Sequence, residues 1–117
     1  TDIIKAVKSA TIALLKKFMP EQLIILSAQK NKLSELLDKI NVNHTEIRNP
    51  KTNHIRSGSP QEFKGLEALA VLLVEFDDIN PVLEETFYIG ATRSVHDFLF
   101  VMSEHKMSQL LKQEVNI

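Results

Sequence analysis

Leu69-Ala70-Val71-Leu72-Leu73-Val74-Glu75-Phe76 is the stretch on which the fold turns. From Leu69 to Val74 it is apolar without interruption. A strand with one solvated face alternates apolar and polar side chains. An unbroken run suits a strand buried on both faces, the condition of parallel sheets covered by helices. Leu23-Ile24-Ile25-Leu26 upstream has the same character, and so does Phe98-Leu99-Phe100-Val101 within the downstream stretch Asp97–Met102.

Between these runs the apolar period lengthens. Ile3, Ile4, Val7, Thr11, Leu14, Leu15 and Phe18 recur at three- and four-residue steps, which predicts an amphipathic helix over Thr1–Phe18 that Pro20 prevents from continuing. Leu33, Leu36, Leu37 and Ile40 predict a second helix from about Gln29. Asn41 to Asn43 reads as a turn. His44–Arg48 and His54–Arg56 are weaker strand candidates around the turn-forming Asn49-Pro50-Lys51-Thr52-Asn53, and Ser57-Gly58-Ser59-Pro60 reads as loop. Asp77 to Pro81 ends the long strand and starts a helix over about Val82–Ser94. Met107, Leu110 and Leu111 suggest a short closing helix. The order α, β, α, β, β, β, α, β, α predicts an α/β protein with a parallel sheet and helices on both faces.

The 117 residues suit one domain, 1–117, with no internal repeat, low-complexity tract or long linker. At 44% hydrophobic and 25% charged the composition is that of an ordinary globular chain, which argues against disordered and fibrous classes. The absence of cysteine removes disulfide frameworks, thiolate zinc sites and cysteine nucleophiles, and it suits a cytoplasmic protein. No apolar run approaches the roughly 20 residues of a membrane span, so no membrane partner is expected. The start, Thr1-Asp2-Ile3, has neither methionine nor signal-peptide pattern and reads as an excised segment of a longer protein. Residues 1–56 hold 10 of the 14 Lys+Arg and 5 of the 15 Asp+Glu, net +5, whereas residues 57–117 hold 4 and 10, net −6. A basic half attracts phosphate. It also reads as one solvated, lysine-rich helix face.

Common catalytic signatures are missing. There is no G-x-x-x-x-G-K-[ST], no G-x-G-x-x-G and no G-x-S-x-G. His44, His54, His96 and His105 are scattered, without the i, i+4 spacing of a helical metal site, so no metal is expected and surface histidines are the reading. Asp77-Asp78 and Glu84-Glu85 lie at element ends, where a negative charge near a helix N-terminus is simply stabilising.

Two segments stand apart from packing. Ser59-Pro60-Gln61-Glu62-Phe63-Lys64-Gly65-Leu66-Glu67 precedes the long strand, and Tyr88-Ile89-Gly90-Ala91-Thr92-Arg93-Ser94 precedes the last one. Both belong to loops and helix ends beside strand termini, where open α/β sheets bind ligands. Singly, Gly65 also reads as a turn and Arg93 as a helix C-terminal cation. Together, with an apolar strand between them, they resemble motifs V (T-x-H-x-x-K-G-L-E) and VI (Y-V-A-L-T-R-A) of UvrD/Rep-type superfamily I DNA helicases. Glu21-Gln22-Leu23-Ile24-Ile25-Leu26-Ser27 is similar to the strand of motif IV. The resemblance spans roughly residues 1 to 103.

The resemblance implies the second, C-terminal RecA-like (P-loop NTPase-like) domain of such a helicase. That domain closes over ATP and Mg²⁺ held mainly by an N-terminal RecA-like domain of the same protein. Arg93 matches the arginine that reaches the γ-phosphate, where a planar, permanently charged fork is wanted. Glu67 matches the glutamate that accepts a hydrogen bond from the ribose. Gly65 lets the backbone approach the nucleotide, and Lys64, Tyr88 and Thr92 complete the nucleotide side. For Tyr88 and Thr92, packing and helix capping are the structural alternatives. Ser59 and Gln61 fall where relatives place a threonine and a histidine against the backbone of single-stranded DNA. Departures from the family pattern are Pro60 and Gln61, the Ser27-Ala28-Gln29 stretch where relatives often carry arginine, and Glu84-Glu85 where relatives are often basic. Large members insert a helical subdomain between motifs IV and V. Here a short strand–turn–strand stretch stands instead, so that subdomain is absent. Two other classes remain open from the residues: a degenerate interaction module keeping both motifs as packing relics, and a nucleotide-independent DNA-binding domain using Lys5, Lys8, Lys16, Lys17, Lys30 and Lys32.

Overall fold

A computed structural model describes residues 2–76 and 83–102. The chain runs α1 (Asp2–Leu15), a 3₁₀ turn (Pro20–Gln22), β1 (Leu23–Leu26), α2 (Lys30–Lys39), β2 (His44–Glu46), β3 (Ile55–Gly58), α3 (Pro60–Phe63), β4 (Ala68–Val74), α4 (Leu83–Arg93) and β5 (Ser94–Val101). The five strands form one sheet in the order β2-β3-β1-β4-β5, and every pairing is parallel. This is the α/β sheet that the apolar runs predict. The closing helix at Met107–Leu111 and the Asp77–Pro81 turn lie outside the described residues.

The apolar strands divide their side chains between two cores. Leu23 and Ile25 of β1, with Ala70, Leu72 and Val74 of β4, pack against Val7 and Leu14 of α1 and Leu33, Leu36 and Leu37 of α2. Ile24 and Leu26, with Val71 and Leu73, pack on the opposite face against Phe63 of α3 and Ile89 of α4. All four residues of β1 are at most 1% exposed, so no position remains for a polar side chain. The handedness of parallel crossovers fixes this layering. The connection β1–α2–β2 runs one way along the sheet and β3–α3–β4 runs the other, so right-handed crossovers set α2 and α3 on opposite faces. Loops leaving β1 and β3 therefore diverge, which opens a crevice at the C-terminal ends of these neighbouring strands.

Two expectations are corrected here. Ser57-Gly58-Ser59-Pro60 is not all loop. Ser57 and Gly58 complete β3, paired with Ile25 and Leu26, and the Ser27 N–H donates to the Gly58 carbonyl at 3.0 Å. A helix, α3, then follows at Pro60–Phe63. Ser59 caps it: its hydroxyl accepts from the Glu62 N–H at 3.4 Å, while the Glu62 carboxylate accepts from the Ser59 N–H at 3.0 Å. Pro60 fills the first helical position, where a missing N–H costs nothing. The turns at Asn41 and Asn49–Asn53 do form, with left-handed backbones at Asn41 (φ 59°) and Asn53 (φ 62°) that asparagine tolerates well.

Candidate functional site

The two motif segments meet at the N-terminal edge of the sheet. Ala68 and Ser94 are paired residues on adjacent strands, so their predecessors, Glu67 and Arg93, stand side by side where β4 and β5 begin. Immediately after Arg93 the register slips: Ala68 pairs with Ser94 but Ala70 with Asp97, a bulge in β5 that bends the strand start carrying Arg93. Arg93 closes α4 and is partly exposed, and Glu67 is exposed. Among the described residues neither side chain makes a hydrogen bond or ion pair, so both are available to a ligand at this edge.

The neighbours differ in how committed they are. Gly65 has φ 84°, a left-handed backbone favouring glycine, and a Cβ there would meet nothing within 4 Å. The space beside its Cα is thus open. Lys64 is bound to Glu85 of α4 at 3.3 Å, with both side chains half exposed. The Thr92 hydroxyl donates to the Tyr88 carbonyl at 2.8 Å, which spends it on the last turn of α4. Tyr88 is 67% exposed, so most of its side chain is left uncovered by the described residues. Helical phase explains this: Leu83, Thr86, Ile89 and Gly90 take the buried side of α4, leaving Tyr88 and Thr92 together on the outside.

Ser59 and Gln61 lie at the other edge. Leu26 pairs with both Gly58 and Leu73, and Ala68 precedes Leu73 by five residues, so the two edges are about 16 Å apart at roughly 3.3 Å per residue. The sheet thus holds Gly65 and Glu67 on one rim and Ser59 and Gln61, from the same stretch of chain, on the opposite rim. Gln61 is exposed and Ser59 partly so. Beside them, in the crevice between the diverging loops, lies a cleft of about 460 Å³ walled by the start of α2, the ends of β2 and β3, and the β2–β3 turn. Sequence reading missed this cleft, because its walls come from four separated segments.

Glu62 closes one side of that cleft. The hydrogen bond from the Ser59 N–H, outweighing burial and aided by Lys30 (Nζ at 3.5 Å), holds its carboxyl below the ordinary value of 4.5. On the other side His44 is not a free surface histidine. Its side chain is 15% exposed, with Nε2 2.8 Å from Asp38 Oδ1 and Nδ1 3.4 Å from Ser57 Oγ, which ties β2 to the end of α2 and to β3. His54 instead turns Nδ1 onto the Thr52 carbonyl at 2.8 Å, within its own turn. Among the described residues no three His, Cys, Asp or Glu side chains are grouped to hold a metal ion, and no helix is long and apolar enough to cross a membrane. No protein-family model matches the chain, and no curated protein matches it.

Proposed function

We propose that this chain is the C-terminal motor domain of an ATP-dependent DNA helicase, closing over a nucleotide held mainly by an N-terminal RecA-like domain of the same protein. The observation supporting this reading is the pairing of Ala68 with Ser94. It brings Glu67 and Arg93, singled out from segments 26 residues apart, to adjacent strand starts on one rim. A packing relic would not need both side chains uncommitted.

The residues present suit a complementing role rather than a complete site. Arg93 has a fork that can hold γ-phosphate oxygens as negative charge redistributes during transfer. Glu67 can accept a hydrogen bond from a ribose hydroxyl, and the open backbone at Gly65 leaves room for the sugar. Mg²⁺ and the β- and γ-phosphates need a partner domain, because this chain offers no phosphate loop. When bound there, ATP supplies the free energy for strand movement. Ser59 and Gln61, on the opposite rim, would contact the backbone of single-stranded DNA without reading sequence.

Steady-state ATP hydrolysis by the intact parent protein, stimulated by single-stranded DNA, tests the reading. Glu67→Ala is expected to raise the KM for ATP about tenfold or more, the range of one charge-assisted hydrogen bond. The same change should leave the KM for 2′,3′-dideoxy ATP nearly untouched. Equal effects on both nucleotides, or no effect on either, would reject the ribose role.

A further inference from the structure

The cleft behind Ser59 carries a second, unassigned set of groups. From α2 come Lys30 and Asn31, and from the β2–β3 turn come Asn49 and Lys51. We propose that these four residues form a grip for one nucleotide unit of single-stranded DNA, with Lys51 and Lys30 on successive phosphates and the two amides on the sugar-phosphate backbone. The inference rests on the nucleic-acid reading of the Ser59 rim and extends it to residues on different elements.

Four observations converge. The cleft is about 460 Å³, within the roughly 300–1,000 Å³ usual for small-ligand pockets, and so accommodates a nucleotide rather than a bare ion. It lies at the crevice where the loops after β1 and β3 diverge, the place open α/β sheets use for ligands. Three of its four donors are uncommitted: among the described residues the side chains of Asn31, Asn49 and Lys51 make no hydrogen bond or ion pair, whereas Lys30 is paired with Glu62 at 3.5 Å and would be shared between that carboxylate and a phosphate. Finally, α2 opens with Lys30 and has no acidic residue in its own first turn, so the one carboxylate at this helix end is Glu62 of α3, 3.5 Å from Lys30 Nζ, among the described residues.

Two carboxylates also border the cleft, and they point the test. Glu62 is held by Ser59 and Lys30, so its charge is already answered. Glu46 is exposed and makes no ion pair among the described residues. A phosphate chain passing through the cleft is repelled by Glu46, whereas a cationic ligand would need it. The sign of the Glu46→Gln effect therefore reports which kind of ligand enters.

Fluorescence anisotropy of a labelled 20-nucleotide oligo-dT, titrated with the 117-residue chain at several salt concentrations, decides the matter. Lys51→Ala, at an exposed turn with no side-chain partner to lose, is expected to weaken binding several-fold. The Lys51→Ala/Lys30→Ala double variant should flatten the salt dependence by about 1.4 in log–log slope in total, for two lost phosphate contacts on a single strand. Glu46→Gln should tighten binding, and Lys8→Ala on α1 should leave it unchanged. Wild-type affinity and slope in the lysine variants, with binding weakened by Ser59→Ala and Gln61→Ala, would overturn the grip while leaving the DNA-contacting rim intact. No salt-dependent binding by the unmodified chain would overturn both.

Discussion

A Cβ placed on Gly90 of α4 would stand 2.6 Å from Cε1 of Phe98 on β5, closer than any real contact. Phe98 is partly exposed but braced by two other rings. Its ring packs edge-on against Phe87 at 5.2 Å and lies 6.0 Å from Phe100, which also touches Phe87 at 5.4 Å. Glycine is therefore what lets α4 lie close against β5, and so what sets Arg93, three residues later, above the start of that strand.

Gly90→Ala sets two effects against each other. Alanine improves helix propensity by about 1 kcal/mol, but overpacking a filled site costs about 1–3 kcal/mol. The clash should win, lowering the melting temperature by several degrees. Phe98→Leu frees the space, so the Gly90→Ala penalty should shrink or reverse in that background. Equal penalties in both backgrounds would show that the ring is not the obstacle.

Ser59→Ala removes the cap of α3 and should cost about 1 kcal/mol of stability. The Glu62 pKa is depressed in the folded chain, so its contribution is present above its unfolded value of 4.5 and lost as pH falls through the lower folded value. Denaturant midpoints measured from pH 7 down to 3 should therefore converge for wild type and Glu62→Gln in acid, and separate above pH 4.5 with wild type the more stable. A constant gap across the range would show that the carboxylate's charge is irrelevant to the cap.

The strands were legible because burial on both faces removes every polar position, a pattern that survives in one dimension. Leu23–Leu26 and Leu69–Val74 show it almost residue for residue. Ser57 and Gly58 were hidden for the opposite reason: a β3 end that borders a cleft has no need of apolar side chains. The α3 helix did leave a mark, since Ser59-Pro60-Gln61-Glu62 is a capping-box spacing with proline in first position. The adjacency of Glu67 and Arg93 was visible only through the motif pair. That Lys30 and Lys51 line one cleft was not visible at all, because it depends on β3 lying between β1 and β2. His44 reads as a surface residue in the sequence because its partners, Asp38 and Ser57, come from different elements.

Hydrolysis of ATP needs groups to cradle the β- and γ-phosphates and to hold Mg²⁺. The sequence contains no phosphate loop, and no grouped metal ligands occur among the described residues. A clean preparation of the 117-residue chain should therefore show no ATP turnover above buffer, with or without oligo-dT. Measured turnover that follows the chain through purification would refute a shared site between two domains.

Arg93 gives the sharpest separation of a functional from a structural role. It is partly exposed at the end of α4 and bonds to no described side chain. As a helix-end cation it adds about 0.3–1 kcal/mol of stability. As a phosphate-contacting arginine it contributes about 10³–10⁵ in rate, the range of arginine fingers in other phosphoryl transfers. In the intact parent protein, Arg93→Ala should thus lower kcat for ATP by orders of magnitude while shifting the melting temperature by only a few degrees. Arg93→Lys keeps the charge at the helix end but not the planar fork, so it should restore the small stability loss without restoring turnover. That split between the two readouts is the expected signature. Normal turnover in Arg93→Ala with a lowered melting point would assign the residue to the helix end alone.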